Sequence, residues 1–196
     1  MKVIVSNEME QICPEFVGAC LEAEVANSPY NEALWAEIEQ LAEKFRGELT
    51  TESLKELTSI SATRKVYRAC GKDPSRYRPA SEALIRRVLQ GKELYQRDTL
   101  TLGIGREGEP YEGIGRGNIN IHGLPVYRDA QGGVGTPTSD HERTKMTLET
   151  KHLLVLINGY DGNEQRVREN AEYIQTLLRK YSQSDGGTYF IYRSAS

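Results

Sequence analysis

The spacing of apolar residues in the first quarter of the chain changes from a period of two to a helical period. Alternation along Phe16–Val25 predicts a β-strand, and the short apolar run Lys2–Ser6 predicts another before it. Asn31 suits the N-cap of a helix that Gly47 would end. The apolar stripe of that helix consists of Leu34, Ile38, Leu41 and Phe45.

Three shorter helices are predicted after it. The first begins near Thr51, the second covers Ala62–Cys70, and the third runs over 81–90 with Ser81 as its N-cap. A glycine follows each of the last two, where it would end the helix. The two prolines in Lys72–Pro79 predict a loop between them.

The second half of the chain predicts short strands, many turns and one long helix. Ten of the 18 glycines lie between positions 103 and 135, which indicates frequent turns. The apolar run in Lys151–Asn158 predicts a strand buried on both faces, Asn163 suits a helix N-cap, and Thr188–Tyr192 predicts a last strand. The short β-like runs are Thr99–Ile104, Asn118–Ile121 and Leu124–Tyr127. The buried stripe expected on the long helix is Val167, Ala171, Ile174, Leu178 and Tyr181.

Together these elements predict an α+β fold with a β-barrel-like or curled mixed sheet in the core and helices flanking it. No linker is long enough to divide the chain, so residues 1–196 are expected to form a single domain. No apolar run approaches the roughly 20 residues of a membrane span. The first residues also lack the pattern of a secretory signal, and a cytoplasmic protein is therefore expected.

The cysteine and histidine content argues against a disulfide framework and against a zinc site. The chain has three of each, and its cysteines lack CxxC spacing. We therefore expect reduced thiols, no metal and no cofactor. The cysteines are Cys13, Cys20 and Cys70.

Charge is distributed unevenly along the chain. Residues 1–57 carry 4 Lys or Arg against 12 Asp or Glu, whereas residues 64–97 carry 10 against 3. A basic segment in a chain of net charge −3 indicates a local contact with an anionic partner. The alternative is that the two segments pack side by side and neutralise each other.

Tyrosines are interleaved with the arginines of the basic segment. Guanidinium groups suit phosphates and tyrosine rings stack on bases, so single-stranded or looped RNA is a suitable partner. A helical pair with solvated arginines is the alternative. The side chains expected at phosphates are Arg64, Lys72, Arg76, Arg78, Arg86 and Arg87.

The sequence GIGR occurs twice in the glycine-rich part. Its first copy lies in Gly103–Gly108, which matches the G-x-G-x-x-G pattern that binds dinucleotides where it opens a helix. Pro110 and further glycines follow, so no helix N-terminus is available for a pyrophosphate. We interpret both copies as turns at strand edges, with Arg106 and Arg116 projecting similarly.

The densest group of reactive side chains lies in Ser139–Thr144. His141 suits a general base, and Ser139, Thr144 or a water suits the nucleophile. Neighbours on an extended segment point to opposite faces, however, and do not form a triad. The alternative is a charged, solvated turn before a strand that begins near Lys145. What remains is a polar pocket wall formed by Asp140, Arg143 and Thr144.

One stretch resembles a known family. Arg64–Gln96 contains R-x-x-Y-x-x-x-G-K-D-P-S-R-Y-R-P-x-S-E-A-L-x-R-R, which resembles the B3/B4 domain of the phenylalanyl-tRNA synthetase β subunit in a free-standing form. Phe16–Asn27 and the blocks 108–130 and 135–159 agree in order, so the resemblance extends from about Lys2 to Ile191.

The resemblance implies a β-barrel-like core and a role near tRNA. In the full synthetase this domain hydrolyses tyrosine wrongly attached to the phenylalanine tRNA, and it recognises the tyrosyl hydroxyl. Leu156 stands where bacterial subunits have a pocket glutamate, and Asp140 and His141 stand where they have paired glycines. A stretch of the family is shortened or omitted between Gln96 and Arg97. The catalytic residues therefore remain unassigned.

Two functions are predicted. The first is an RNA-binding module for tRNA that carries an aminoacyl ester, with ester hydrolysis in trans as the implied activity. A chain of 196 residues has no room for a complete synthetase. The second is a non-catalytic module that binds an amino-acid-like ligand or a protein partner, and an unrelated hydrolase built on His141 is a third alternative. The pocket is expected near Arg116, Asp140, Arg143 and Thr144.

Overall fold

The computed structural model of the protein describes residues 3–28, 31–90 and 103–194. Within these ranges it is an α+β structure with five α-helices, eight strands and two 3₁₀ helices at Ser53–Glu56 and Glu142–Thr144. The α-helices are α1 (Asn7–Ile12), α2 (Glu32–Glu48), α3 (Thr58–Ala69), α4 (Ala80–Leu89) and α5 (Glu164–Tyr181). The strands are β1 (Val17–Glu24), β2 (Gly103–Ile104), β3 (Glu112–Gly113), β4 (Gly117–Asn118), β5 (Pro125–Asp129), β6 (Gly132–Gly135), β7 (His152–Gly159) and β8 (Thr188–Arg193).

The strands form three small antiparallel sheets. Their orders are β7-β1-β8, β2-β5-β6 and β3-β4. The prediction of a barrel-like or mixed sheet is wrong for the described residues, because the sheets are separate and every strand pair is antiparallel. Three of the strands are only two residues long, too short to pair around a closed barrel.

Strand β1 is the centre of the main sheet and is buried on both faces. On one face Val17 and Ala19 pack against α5, and on the other Cys20 packs in a cluster with Phe16 and Tyr127. The predicted strand is confirmed, although its alternation does not mark a solvent face. Strand β7 lies at the edge of this described sheet, and its apolar residues pack against core clusters on both faces, so the expected burial is confirmed in part, with most of the strand half-buried.

The second sheet joins the first through one tyrosine hydroxyl. Tyr127 of β5 donates a hydrogen bond to the Asn158 side-chain oxygen of β7. Its hydroxyl also lies 2.9 Å from the Tyr192 hydroxyl of β8. Burial raises the pKa of Tyr127 well above its ordinary value, so this group stays neutral and acts only as a hydrogen-bonding link.

The two long helices begin as predicted. The Asn31 side chain accepts from the Leu34 N–H at 3.1 Å to cap α2, and Asn163 accepts from the Arg166 N–H at 3.0 Å to cap α5. Helix α2 passes through Gly47 and ends one residue later. Its apolar stripe is half-buried or exposed, with Ala42 the buried residue of the helix.

Helix α4 begins two residues earlier than its predicted N-cap at Ser81 implies. Its N-cap position is Pro79, and the Ala80 N–H donates to the Pro137 carbonyl oxygen at 2.5 Å. A neighbouring loop therefore satisfies a free N–H of the first turn, and the prediction of Ser81 as side-chain cap is wrong.

Other differences lie in short elements. Residues 3–6 are irregular and lead into α1, so the described part of the predicted Lys2–Ser6 strand is wrong. The helix predicted near Thr51 is a 3₁₀ turn, and no strand begins near Lys145 among the residues described there. Positions 91–102 lie outside the described residues, together with the expected stop at Gly91 and the Gln96/Arg97 junction.

Candidate functional site

A cleft of about 560 Å³ opens where α4 meets the glycine-rich half of the chain. One face of α4, the turn between β3 and β4 and the loop after β6 form its walls. A volume of this size is ordinary for a small-molecule site, and this one combines two guanidinium groups, one carboxylate and apolar surface. The lining residues are Ala80, Ala83, Leu84, Arg87, Ile114, Gly115, Arg116, Thr136, Thr138, Ser139 and Asp140.

The loop after β6 is fixed by its own hydrogen bonds. The Thr136 hydroxyl accepts from the N–H groups of Thr138 and Ser139 at 3.1 and 2.9 Å, and donates to the Ser139 carbonyl oxygen at 2.9 Å. The buried Tyr111 hydroxyl donates to the same carbonyl oxygen at 2.6 Å. This wall of the cleft is therefore preorganised before any ligand binds.

The same loop is joined to the basic segment. The hydroxyls of Tyr67 and Thr138 lie 2.8 Å apart, and Thr138 also donates to the Tyr77 carbonyl oxygen at 3.4 Å. Burial raises the pKa of Tyr67 above its ordinary value, so its hydroxyl stays protonated. Helix α3, the α3–α4 loop and the loop after β6 thus form one hydrogen-bonded unit behind the cleft.

A buried carboxylate lies beneath this unit. Glu82 of α4 is 0% exposed and accepts from Arg64 Nη1 at 2.9 Å and from Arg86 Nε at 3.0 Å. Arg64 also donates to the Pro74 carbonyl oxygen at 3.4 Å, and Arg86 to the Thr51 carbonyl oxygen at 3.1 Å. The triad Arg64–Glu82–Arg86 thereby joins α3, α4, the loop between them and the segment before the 3₁₀ turn.

This triad changes the interpretation of two predicted phosphate contacts. Arg64 is 7% exposed, and its guanidinium is engaged with the protein itself, as is that of Arg86. The reason lies in the helical period, since Arg64 shares the buried face of α3 with Ile60 and Tyr67. The phosphate contacts expected of Arg64 and Arg86 are therefore not available in this structure.

The other four predicted basic residues lie nearer the surface. Arg76 and Arg78 are exposed on the α3–α4 loop, and Arg87 lines the cleft. Lys72 is half-buried, with its Nζ 4.2 Å from the centre of the Tyr77 ring and 3.3 Å from the Asn120 carbonyl oxygen. They remain the basic side chains from which a contact to an anionic ligand can be built.

The four residues predicted for the pocket divide into two pairs. Arg116 and Asp140 line the cleft, which brings them together with Arg87. Arg143 and Thr144 do not line it. Arg143 binds both oxygens of Asp129 at 2.7 Å, and the Thr144 hydroxyl donates to a β6 carbonyl oxygen at 3.1 Å.

The pairing with Arg143 should be measurable as a lowered pKa of the Asp129 carboxyl. The hydrogen bonds from Arg143 lower the pKa of Asp129 to about 2, so a carboxyl titration by NMR should give a midpoint there. A lowered folded pKa means that the pair stabilises the fold above about pH 4, and that this contribution is lost as pH falls towards 2. Arg143→Gln should return the midpoint to the ordinary range, whereas Lys145→Gln should not. A wild-type midpoint near 4 would contradict the pairing.

The Ser139–Thr144 segment is not arranged for nucleophilic catalysis. The buried Ser139 hydroxyl is 3.4 Å from the Asp140 carbonyl oxygen, whereas His141 Nδ1 accepts from the Arg143 N–H at 3.1 Å. Burial and the neighbouring Arg143 lower the pKa of His141. The alternative of a solvated turn is confirmed in part, because Glu142–Thr144 is a 3₁₀ turn with Arg143 exposed, but Ser139 is buried and no strand begins near Lys145 among the residues described there.

Two further predicted features have structural roles. Leu156, at the position of the family's pocket glutamate, is 8% exposed and packs in the core rather than in the cleft. Burial raises the pKa of Cys13 to about 12 and those of Cys20 and Cys70 to about 11. These thiols are protonated at neutral pH and are poor nucleophiles.

The second GIGR copy is a turn, as predicted, and forms the β3–β4 hairpin with Gly115 at φ +62°. The first copy is instead strand β2 followed by a bridge at Gly105, and its turn begins at Arg106, whose N–H donates to the Glu109 side chain at 2.9 Å. Neither leads directly into an α-helix within 103–194. No group of three or more His, Cys, Asp or Glu in the described ranges could hold a metal ion, and no helix there is both long and apolar enough to span a bilayer.

Sequence reasoning missed the apolar wall of the cleft. Ala80, Ala83, Leu84 and Arg87 fall on one face of α4 at helical spacing, a signal that was present in the sequence. The contribution of Thr136 had no such signal, because it depends on how the loop after β6 folds against α4.

Comparisons of the chain with protein-family models, with curated proteins and with solved structures find no match. The resemblance to the B3/B4 domain therefore stays a prediction, carried by the residues quoted for it.

Proposed function

We propose that this protein binds the aminoacylated end of an RNA, namely a tRNA, in the cleft beside α4. The observation that carries the proposal is that one preorganised cleft brings together Arg87, Arg116 and Asp140. Arg87 comes from the basic segment, and the other two come from the glycine-rich half of the chain. The motif of Arg64–Gln96, which resembles a tRNA-associated domain, supports the same assignment.

The charges that line the cleft suit a ligand with an amine at one end and phosphates at the other. A carboxylate such as Asp140 pairs with an ammonium group, and guanidinium groups bind phosphate oxygens in bidentate geometry. Ala83, Leu84 and Ile114 supply apolar surface for the remainder of an amino acid. An aminoacyl ester on a terminal nucleotide has all three of these parts.

The α3–α4 loop offers a path for the rest of the RNA chain. Arg76 and Arg78 are exposed on this loop, and Arg78 lies two residues before Ala80, which lines the cleft. With Lys72 beside them, they form the basic loop, defined here as Lys72, Arg76 and Arg78. Three such cations give modest affinity and a moderate salt dependence, because each phosphate contact to a single strand contributes about −0.7 to the slope of log K against log salt.

Ester hydrolysis is the reaction that this binding mode would serve. Asp140 is the single carboxylate among the described residues that line the cleft. In that role one of its carboxylate oxygens would pair with the ammonium group and the other would take a proton from a water that attacks the ester carbonyl. The bond from that carbon to the ribose oxygen would then break and Asp140 would return the proton to that oxygen, which leaves a free amino acid and a terminal hydroxyl.

A filter-binding titration of Arg116→Gln against Arg106→Gln tests the proposal. Both changes remove the arginine of a GIGR turn, but Arg116 lines the cleft and Arg106 does not. A lost charge-assisted hydrogen bond costs about 1.5–3 kcal/mol, so Arg116→Gln should bind aminoacylated tRNA at least about tenfold more weakly. It should also reduce the salt slope by about one, while Arg106→Gln should behave as wild type.

The same titration includes uncharged tRNA, Tyr-tRNA(Phe) and Phe-tRNA(Phe), with release of the amino acid followed in parallel. Asp140→Asn should remove any preference for the aminoacylated form and any release, with little effect on uncharged tRNA. Equal affinity of wild type, Arg116→Gln and Arg106→Gln would overturn the proposed cleft.

A small amino-acid-like ligand is the second candidate. The burial of Arg64 and Arg86 favours it, because it leaves fewer cations for a long RNA chain. It predicts thermal stabilisation by free tyrosine or phenylalanine, together with no salt-sensitive retention of tRNA.

A further inference from the structure

We infer that Glu82 is the positioning residue of the cleft: its buried carboxylate holds Arg64 and Arg86, and thereby fixes the basic loop and the face of α4 that carries Arg87. The identity of the ligand rests on the proposed function, but the effect of Glu82 on the basic loop and on α4 can be tested without any ligand.

The Glu82 carboxylate is buried close to the charged residues of the cleft. Glu82 is 0% exposed, yet it lies one helical turn from Arg86 and only five residues from Arg87. A buried carboxylate is costly unless its oxygens are bonded, and here one oxygen accepts from both arginines and the other from Arg64. Apolar packing would hold two helices together without that cost, so this arrangement calls for a function in addition to stability.

Arg64 and Arg86 use further N–H donors to hold neighbouring segments of the chain. Arg64 donates to the Pro74 carbonyl oxygen and to the Ser75 hydroxyl at 3.3 Å, both on the α3–α4 loop. Arg86 donates to the Thr51 carbonyl oxygen. Directional bonds to backbone oxygens fix a loop more narrowly than apolar contact does. One carboxylate thus sets the position of the loop on one side and of α4 on the other.

The triad is also connected to the cleft. The fixed loop ends at Tyr77 and Ala80, whose backbone groups bond to Thr138 and Pro137 behind the cleft. Glu82 and Arg87 both lie on α4, so a rotation of the helix that breaks the bond from Glu82 to Arg64 of α3 also moves Arg87. Arg116 lies on the β3–β4 turn and is not part of this chain of contacts.

The test combines amide hydrogen exchange with tRNA titration on Glu82→Gln, which keeps the size of the side chain and removes its charge. We expect faster exchange at the Arg76, Tyr77, Ala80 and Ala83 amides, whose hydrogen bonds lie in the loop and the first turn of α4. Amides of α5 serve as the internal control. Unchanged exchange in the loop and in α4 would overturn the inference regardless of RNA.

The titration then separates positioning from general stability, at a temperature where both proteins are fully folded. Glu82→Gln should weaken binding of aminoacylated tRNA about tenfold. Combined with Arg87→Gln it should weaken binding by less than the product of the two single effects. Combined with Arg116→Gln the effects should multiply. Wild-type affinity of Glu82→Gln, or effects that multiply with Arg87→Gln as well as with Arg116→Gln, would overturn the positioning role.

A variant that does not fold, or a wild-type protein that binds no tRNA, still leaves the role of Glu82 testable. If Glu82→Gln does not fold, Glu82→Asp replaces it, because this change keeps the charge but shortens the reach to the arginines. Exchange rates and tRNA affinity between those of wild type and of a fully disrupted triad are then expected. Wild-type values of both would overturn the inference. If wild type binds no tRNA, the proposed function fails, and local loss of protection in Glu82→Gln still supports the positioning of α4.

Discussion

Arg64→Met is expected to lower the free energy of unfolding by about 3–5 kcal/mol, the usual cost of removing one partner of a buried ion pair. Glu82 has no exposed surface, and the change leaves Arg86 as the remaining partner of its carboxylate within the triad. The loop also loses the donors that Arg64 gives to Pro74 and Ser75. Urea unfolding followed by circular dichroism measures the difference.

Two control variants show whether burial is the cause. Arg168→Met breaks an i,i+4 pair with Glu164 on the surface of α5, where side chains are 43% and 23% exposed, and should cost only about 0.3–0.5 kcal/mol. A triple variant that makes the whole triad apolar, with Arg64→Met, Glu82→Leu and Arg86→Met combined, should recover much of the lost stability. Equal costs for Arg64→Met and Arg168→Met would contradict the account.

Gly187→Ala is expected to cost about 3–4 kcal/mol, because it combines an unfavourable backbone angle with a steric clash. Gly187 has φ +66°, and a Cβ there would meet the Glu22 carbonyl oxygen and lie 2.7 Å from the Ala23 Cβ. Both neighbours belong to β1, the central strand, which is paired on both sides and has little freedom to move. Thermal unfolding should show the loss as a lower Tm.

Gly108→Ala is the matched control for the backbone contribution. Gly108 has φ +69°, almost the same angle, but nothing lies within 4 Å of the position of its added Cβ. It should cost only the left-handed penalty of about 1–2 kcal/mol. A similar loss at both glycines would show that the packing against β1 yields more easily than the structure indicates.

The elements that could be predicted from the sequence are those decided by local signals. Asn31 and Asn163 cap their helices through their own side chains, and strand β1 follows from its apolar positions. The start of α4 could not be predicted in this way, because the Ala80 N–H is satisfied by the carbonyl oxygen of Pro137, far along the chain. Strand β7 is as apolar as a central strand, and only the sheet order shows that it lies at an edge.

The candidate site was predicted in part, and the errors share one cause. Charged residues were expected at the surface, yet Arg64 occupies the buried face of α3 between Ile60 and Tyr67. The helical spacing of Arg64 with those two residues was visible in the sequence. The pairing of Arg64 with Glu82 could not be predicted, because it depends on how α3 and α4 pack. Arg116 and Asp140 were predicted to lie near each other and both line the cleft, whereas the presence of Arg87 beside them was not predicted.

The order of strands in the main sheet has a consequence for synthesis. Strand β1 leaves the ribosome before both of its partners, which are residues 152–159 on one side and 188–193 on the other. This apolar strand therefore lacks its native partners until those later residues have also emerged. Contacts of such long sequence separation form slowly, and the waiting strand can pair with another nascent chain. Folding of this protein in the cell is thus expected to depend on how well that early segment is shielded before the last strand arrives.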